Sequence, residues 1–155
     1  MKNVGFIGAG NMGGALISGL LKEKQVYTVF VYDVNENLVN KYADKGAIPV
    51  GSVEDLAKRC EYIIIAVKPN VYDRILNELA SAHFDETVIT IAPGISIEHV
   101  KAILGNKTKV VRTMPNTPAL ISMGVTLIAK ESSDDIDEVA KIFKCLSFCS
   151  KISSG

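Results

Sequence analysis

The chain has 155 residues, the size of a single domain, and 48% of them are apolar whereas only 6% are aromatic. Its 17 basic and 17 acidic side chains give a formal net charge of zero, so no overall field favours nucleic acid or an anionic membrane. The three cysteines lack CxxC spacing, and the amino terminus lacks the apolar core of a signal peptide. We therefore expect one α/β domain in the reducing cytoplasm, with neither nucleic acid nor a membrane as partner.

A glycine-rich segment follows the first apolar stretch. Lys2–Ile7 is predicted to form a buried strand, and residues 8–13 (GAGNMG) lead from it into a predicted helix over 14–21. In such a segment the first glycine permits a tight turn, the second lets a diphosphate approach the backbone, and the third lets the helix pack on the strand. The free N–H groups at the helix start then face the anion. The pattern predicts a dinucleotide site, and a purely structural glycine turn is the alternative.

Asp33 follows the second predicted strand, Tyr27–Tyr32, and lies twenty positions after Gly13. A carboxylate at this place accepts hydrogen bonds from the ribose hydroxyls of adenosine, whereas a 2′-phosphate would meet its negative charge. No arginine occurs in the next four residues, 34–37. The local sequence therefore favours NAD(H) over NADP(H). A role as the N-cap of the second helix is the alternative and is compatible with the first.

Strands and helices alternate along the rest of the chain. The predicted helices cover 35–45, a short segment after Ser52, 71–80, 95–104 and 134–148, and the predicted strands cover 47–50, 62–67, 87–92, 109–113 and 125–129. Helices between successive strands are crossover connections, so we predict a doubly wound, mostly parallel sheet of the Rossmann-like kind. Ligands bind such sheets beyond the carboxyl ends of the strands. The breaks at 8–13, Asp33, 66–69 and 92–94 should therefore line one crevice, with the loop at 115–118 on the same rim.

Two further segments supply polar candidates. Lys68 precedes a proline at a strand end and is a candidate for contact with cofactor phosphate or ribose, although a surface lysine is the commoner case at such a place. The backbone of 66–69 is the better candidate. Asn116 and Thr117 lie between two prolines, a rigid arrangement that suits either hydrogen bonding to a nicotinamide or small substrate, or an ordinary stiff loop.

The cysteines and histidines do not indicate a metal site. Cys145 and Cys149 are four positions apart on the last predicted helix, without further residues at metal-ligand spacing, so we interpret them as buried thiols. His83 and His99 lie in or beside predicted helices, away from the strand ends, and we interpret them as structural or exposed. No motif of a hydrolase or phosphotransferase occurs.

Four segments together resemble pyrroline-5-carboxylate reductases. They are 4–16 (VGFIGAGNMGGAL), 66–69 (AVKP), 92–96 (APGIS) and 112–124 (RTMPNTPALISMG). The last is the most specific, because MPNTP followed by a glycine is a signature of that family rather than of dinucleotide folds in general. The resemblance runs from Val4 to about Cys149 and covers only the family's amino-terminal domain. It implies reduction of 1-pyrroline-5-carboxylate to proline with NAD(P)H, the last step of proline biosynthesis.

The motif and the resemblance together assign cofactor contacts to three strand ends and one turn. They are Ile7, Gly8, Ala9, Gly10, Asn11, Met12, Gly13, Asp33, Ala66, Val67, Lys68, Pro69, Ala92, Pro93 and Gly94. Asn116 and Thr117 match the family's loop near the substrate. The family commonly has serine, threonine or asparagine-arginine at the position of Asp33, and those residues favour NADPH. Asp33 itself favours NADH.

Members of this family continue into a helical domain that mediates dimerisation and binds the substrate carboxylate. We expect residues 1–150 to form the dinucleotide-binding domain and 151–155 to begin the connection to that missing domain, through which the full-length protein forms a homo-oligomer. The resemblance implies that the catalytic residues lie in that domain. This chain alone is expected to bind NAD(P)H and to turn over little or no substrate. A β-hydroxyacid dehydrogenase, against which MPNTP argues, and a non-catalytic nucleotide-binding module are the alternatives.

Overall fold

A seven-stranded sheet forms the centre of the computed structural model, which describes residues 2–23, 26–84, 86–92, 94–105, 108–114, 126–129 and 141–142. The strands are β1 (Lys2–Ile7), β2 (Tyr27–Tyr32), β3 (Ile48–Pro49), β4 (Tyr62–Ile65), β5 (Thr87–Thr90), β6 (Lys109–Met114) and β7 (Thr126–Ala129). The helices are α1 (Asn11–Leu21), α2 (Glu36–Ala43), α3 (Val53–Arg59), α4 (Tyr72–Ser81) and α5 (Ile97–Leu104), and a 3-10 turn, Pro69–Val71, precedes α4.

The strand order is β3-β2-β1-β4-β5-β6-β7. Neighbouring strands from β3 to β6 pair in parallel, whereas β7 pairs antiparallel to β6, with Val111 opposite Ala129. The chain moves outward from β1 in one direction and outward from β4 in the other, so the order reverses between these two strands. This topology confirms the predicted doubly wound, mostly parallel sheet. It also places the expected ligand crevice beyond the carboxyl ends of β1 and β4.

Helices cover both faces of the sheet. Successive residues of β4 point to opposite faces: Ile64 packs in a core with Leu16 of α1, and Ile63 packs in a second core with Leu76 of α4. Each of these four side chains is at most 1% exposed. A strand that is covered on both faces reads as a continuous apolar run, which is why residues 62–65 show no alternation in the sequence.

Three predicted strands are shorter in the structure. β3 covers Ile48–Pro49 rather than 47–50, β4 ends at Ile65 rather than at residue 67, and β5 ends at Thr90 rather than at residue 92. Ile91 and Ala92, beyond the end of β5, are nevertheless buried. An apolar run therefore marks burial, whereas a strand ends where the backbone leaves the hydrogen-bonded ladder.

The last predicted helix, over 134–148, lies mostly outside the described residues. Residues 141–142 are helical, and Ile142 is fully buried in the core that contains Leu16. Cys145 and Cys149 lie outside the described residues, so their interpretation as buried thiols stays a prediction.

Candidate functional site

The turn between β1 and α1 has the backbone geometry that its glycines predict. Gly8 has a φ of 103°, a left-handed conformation that favours glycine, and its N–H donates to the carbonyl of Tyr32 over 2.8 Å. A side chain at Gly8 would also lie 2.7 Å from the carbonyl oxygen of Ala66. The turn is therefore fixed against the ends of both neighbouring strands, β2 and β4.

Gly10 is the N-cap of α1, and no side chain caps this helix. The first intrahelical hydrogen bond runs from the N–H of Gly14 to the carbonyl of Gly10 over 2.7 Å, so the N–H groups of 11–13 have no partner within the helix. Gly10 is exposed, and a Cβ built on it would meet no atom within 4 Å. The start of α1 therefore presents open space and a positive dipole end, which together suit a diphosphate.

Gly13 has the packing role that its place in the motif predicts. A Cβ at Gly13 would collide with the carbonyl oxygen of Gly8 and lie 3.0 Å from the Cβ of Ala66. The next residue is equally confined, because a Cβ at Gly14 would collide with the hydroxyl of Tyr42. The two glycines let α1 lie close to the turn on one side and to α2 on the other.

Asp33 joins the glycine turn to the segment that follows β2. Its Oδ2 accepts a hydrogen bond from the N–H of Ala9 over 2.7 Å, and its Oδ1 accepts one from the N–H of Asn35 over 2.8 Å. The N-cap of α2 is Asn35, whose side chain accepts from the N–H of Asn37, so the alternative role of Asp33 as N-cap is wrong. The carboxylate is instead held at the carboxyl edge of the sheet, half-buried, beside the turn.

A cavity of about 120 Å³ opens between the ends of β1 and β2 and the helix α4. Its walls are mainly aliphatic, with one acidic and one basic side chain. The lining residues are Ile7, Gly8, Tyr32, Asp33, Val34, Val67, Val71, Arg74 and Ile75. The cavity thus brings together the glycine turn, Asp33 and one residue of the predicted segment at 66–69.

A wider groove of about 620 Å³ lies on the other side of Asp33, toward α2 and β3. Asp33 and Glu36 both line this groove, which also contains Asn40 and Gly51. No basic side chain of the described residues lines it. The groove is therefore acidic, with two carboxylates among apolar and polar residues, whereas the aliphatic cavity has one acidic and one basic side chain.

Several of the other predicted contact residues do not line the aliphatic cavity, and some lie outside the described residues. Ala66 is anchored, since its N–H donates to the carbonyl of Ile7 over 2.8 Å, whereas Lys68 is exposed and does not line the cavity. Ala92 is buried and Gly94 is exposed with a φ of 84°, and neither lines the cavity. Of the predicted contact residues, the cavity therefore contains Ile7, Gly8, Asp33 and Val67. Pro93, Asn116 and Thr117 lie outside the described residues, so their roles stay predictions.

Sequence reasoning missed two residues near this crevice. Arg74 lines the aliphatic cavity, although it is far from Asp33 in the sequence. Tyr72 is fully buried and its hydroxyl donates to the carbonyl of Ile65 at the end of β4. Burial raises the pKa of Tyr72, against hydrogen bonds from the backbone of Ile91 and Ala92 that act in the other direction. In the sequence, Tyr72 is one more apolar position of an amphipathic helix, so no signal separated it from the core.

The two histidines lie at the surface, one of the two placements that the sequence predicts for them. His83 and His99 are exposed, and Nε2 of His99 lies 2.6 Å from Oδ1 of Asp73 on the neighbouring helix. Within the described ranges, no group of three or more histidine, cysteine or acidic residues is placed to hold a metal ion. None of the described helices is long and apolar enough to cross a membrane.

Comparisons with known proteins match the part of the chain that contains the glycine turn and Asp33. Residues 3–94 match the family model described as NADP oxidoreductase, coenzyme F420-dependent. The chain is 35% identical over 151 residues to a pyrroline-5-carboxylate reductase of Escherichia coli, covering 93% of this chain and 56% of the relative. It is 33% identical over 137 residues to the corresponding enzyme of Mycobacterium leprae, covering 84% of this chain and 47% of that protein.

Solved structures give the same result. The crystal structure of a Plasmodium falciparum pyrroline carboxylate reductase with NADP bound matches with a TM-score of 0.76 and 28% identity, over 94% of this chain and 55% of the other. The chain thus spans about half the length of the relatives that it matches. It belongs to the NADP oxidoreductase, coenzyme F420-dependent family, and its sequence corresponds to the amino-terminal half of pyrroline-5-carboxylate reductases.

Proposed function

We propose that this chain is the cofactor-binding part of a cytoplasmic reductase that converts 1-pyrroline-5-carboxylate to proline with NAD(P)H. The observation that carries the proposal is the uncapped start of α1, where Gly10 leaves open space in front of the N–H groups of residues 11–13. The Escherichia coli and Mycobacterium leprae relatives are named pyrroline-5-carboxylate reductase, and the Plasmodium falciparum reductase was solved with NADP bound. The residues present therefore fit a dinucleotide.

In this proposal each segment of the crevice contacts a different part of the cofactor. The backbone of 8–13 binds the diphosphate, and the carboxylate of Asp33 accepts a hydrogen bond from the adenosine ribose while it keeps its bonds to Ala9 and Asn35. We assign the backbone of 66–69 and residues 92–94, which follow β4 and β5, to further contacts with the cofactor. When bound, the reduced nicotinamide supplies the hydride that the imine carbon receives, and the chain's own contribution is to position that ring.

We propose that NADH is preferred over NADPH. Asp33 and Glu36 line the groove beside the ribose position, and no basic side chain of the described residues lines that groove. A 2′-phosphate in this place would be repelled by two carboxylates. The presence of NADP in the Plasmodium falciparum relative argues for the opposite preference, so the ratio of the two dissociation constants is the quantity to measure.

The direct test is titration of the 155-residue chain with NADH and NADPH, followed by cofactor fluorescence. We expect Gly10→Val to weaken both affinities at least about tenfold, because a branched side chain would occupy the place of the diphosphate. The fold should survive, since no atom lies within 4 Å of a Cβ at this position. Unchanged affinity in a folded Gly10→Val protein would contradict the proposal.

Turnover is expected only with a helical partner domain. Fusion of this chain to the carboxyl-terminal half of the Escherichia coli relative should produce proline from 1-pyrroline-5-carboxylate, and the fusion protein should form homo-oligomers through the added half. The chain alone should bind cofactor with little or no turnover. Substantial proline formation by the chain alone would contradict this division of roles.

A further inference from the structure

Arg74 is placed at the adenosine end of the proposed cofactor site. It lies on α4, one turn from Val71 and next to Ile75, and all three residues line the aliphatic cavity. On the opposite side of the cavity, Asp33 and Val34 follow β2. The cavity is therefore a slot between the end of β2 and the first turn of α4.

The order of the binding elements decides which part of a dinucleotide would enter this slot. The diphosphate lies at the start of α1 and the ribose at Asp33, so the next group along the nucleotide is the adenine base. The slot has aliphatic walls, and Val34 is 76% exposed at its edge. A flat purine would cover that exposed valine, which explains an apolar side chain next to a charged one on the surface.

We propose that the guanidinium of Arg74 stacks on the adenine base and contributes equally to the binding of NADH and NADPH. This inference rests on the proposed cofactor site. The guanidinium group is planar and stacks well on aromatic faces, including those of nucleobases. Within the described part of the chain, Arg74 makes neither a hydrogen bond nor an ion pair, so its head group is available to a ligand.

A contact of Arg74 with a 2′-phosphate is the competing assignment. In the proposed site the 2′-hydroxyl lies where Asp33 accepts its hydrogen bond, and Asp33 lines both the aliphatic cavity and the groove that Glu36 also lines. Arg74 does not line that groove. A 2′-phosphate that points into the groove beside Glu36 would therefore lie on the other side of Asp33 from the cation, and this separation favours the base.

The test compares Arg74→Ala and Arg74→Lys with a matched control, Arg59→Ala. Arg59 is an exposed arginine at the opposite edge of the sheet, where its carbonyl accepts from the side chain of Asn3 and its side chain pairs with Asp55. Dissociation constants of the 155-residue chain are measured for NADH, NADPH, 5′-AMP and nicotinamide mononucleotide. Circular dichroism verifies that each variant is folded.

We expect Arg74→Ala to weaken the binding of NADH, NADPH and 5′-AMP by a similar factor of about five. The affinity for nicotinamide mononucleotide should not change. Arg74→Lys should lose part of this affinity, because lysine keeps the charge without the planar group. A loss confined to NADPH would overturn the inference in favour of a phosphate contact, and affinities equal to those of Arg59→Ala would overturn it outright. Failure of the unmodified chain to bind either dinucleotide would instead refute the proposed function itself.

Discussion

The carboxylate of Asp33 accepts a hydrogen bond from the N–H of Ala9 over 2.7 Å, across 24 positions of the sequence. This bond joins the end of β2 to the glycine turn that follows β1. Because the other carboxylate oxygen accepts from Asn35, both sides of Asp33 are fixed by backbone groups. The side chain that we propose to select the cofactor thus also orders the turn that we propose to bind the diphosphate.

Replacement of Asp33 by serine should change cofactor selectivity. The variant removes the charged acceptor that we propose for the ribose hydroxyl and also the negative charge that a 2′-phosphate would meet. Hydrogen bonds to charged groups contribute about 1.5–3 kcal/mol, so NADH affinity should fall about tenfold or more while NADPH affinity rises. The measurement is the ratio of the two dissociation constants. A ratio that stays constant would mean that Asp33 does not contact the ribose.

Gly13→Ala should destabilise the fold much more than Gly10→Ala. The added methyl group at Gly13 collides with the carbonyl of Gly8, whereas at Gly10 it enters open space at a φ of −73° that alanine adopts readily. Overpacking of this kind costs about 1–3 kcal/mol, and Gly10→Ala should stay within about 0.5 kcal/mol of the parent protein. Urea denaturation measures both values. Equal stability of the two variants would show that α1 can move away from the turn.

Tyr72→Phe should remove a buried hydrogen bond to Ile65 and lower the free energy of unfolding by about 1 kcal/mol near neutral pH. Because the folded protein holds the phenolic proton above pH 10, where the unfolded chain loses it, the stability of the parent protein falls as pH rises beyond that value. Tyr72→Phe has no phenolic proton at this position and therefore does not lose stability in this way. The stability difference between the two proteins should therefore narrow at alkaline pH, and a difference independent of pH would contradict the assignment.

Cys60 should resist alkylation in the folded protein. Burial raises the pKa of the Cys60 thiol from 9.0 to about 12, against a smaller opposing effect of Arg59. At pH 8.5 the reactive thiolate should therefore be roughly a thousandfold rarer than in an unfolded chain. Iodoacetamide labelling with peptide mapping should modify Cys60 in urea but not under native conditions. Rapid native labelling would place this thiol at the surface.

The strand ends illustrate where sequence patterns lose accuracy. Residues 62–67 form one apolar run, but the ladder of β4 ends at Ile65 and the chain then turns toward Pro69. The periodicity of a sequence reports which side chains are buried, and buried residues continue past the last paired one. For the same reason, Tyr72 is indistinguishable in the sequence from the other buried positions of α4, such as Leu76.

The sequence by itself determined the glycine turn, the alternation of strands and helices, the parallel sheet and the resemblance to a reductase family. These features depend on residues close together in the chain, where spacing and side-chain type fix the backbone. Only the tertiary structure decided that Asp33 binds the turn rather than caps α2, and that Arg74 lies in the same cavity as Asp33. Such contacts join residues far apart in sequence, and their distances depend on how the helices pack on the sheet, which no local pattern encodes.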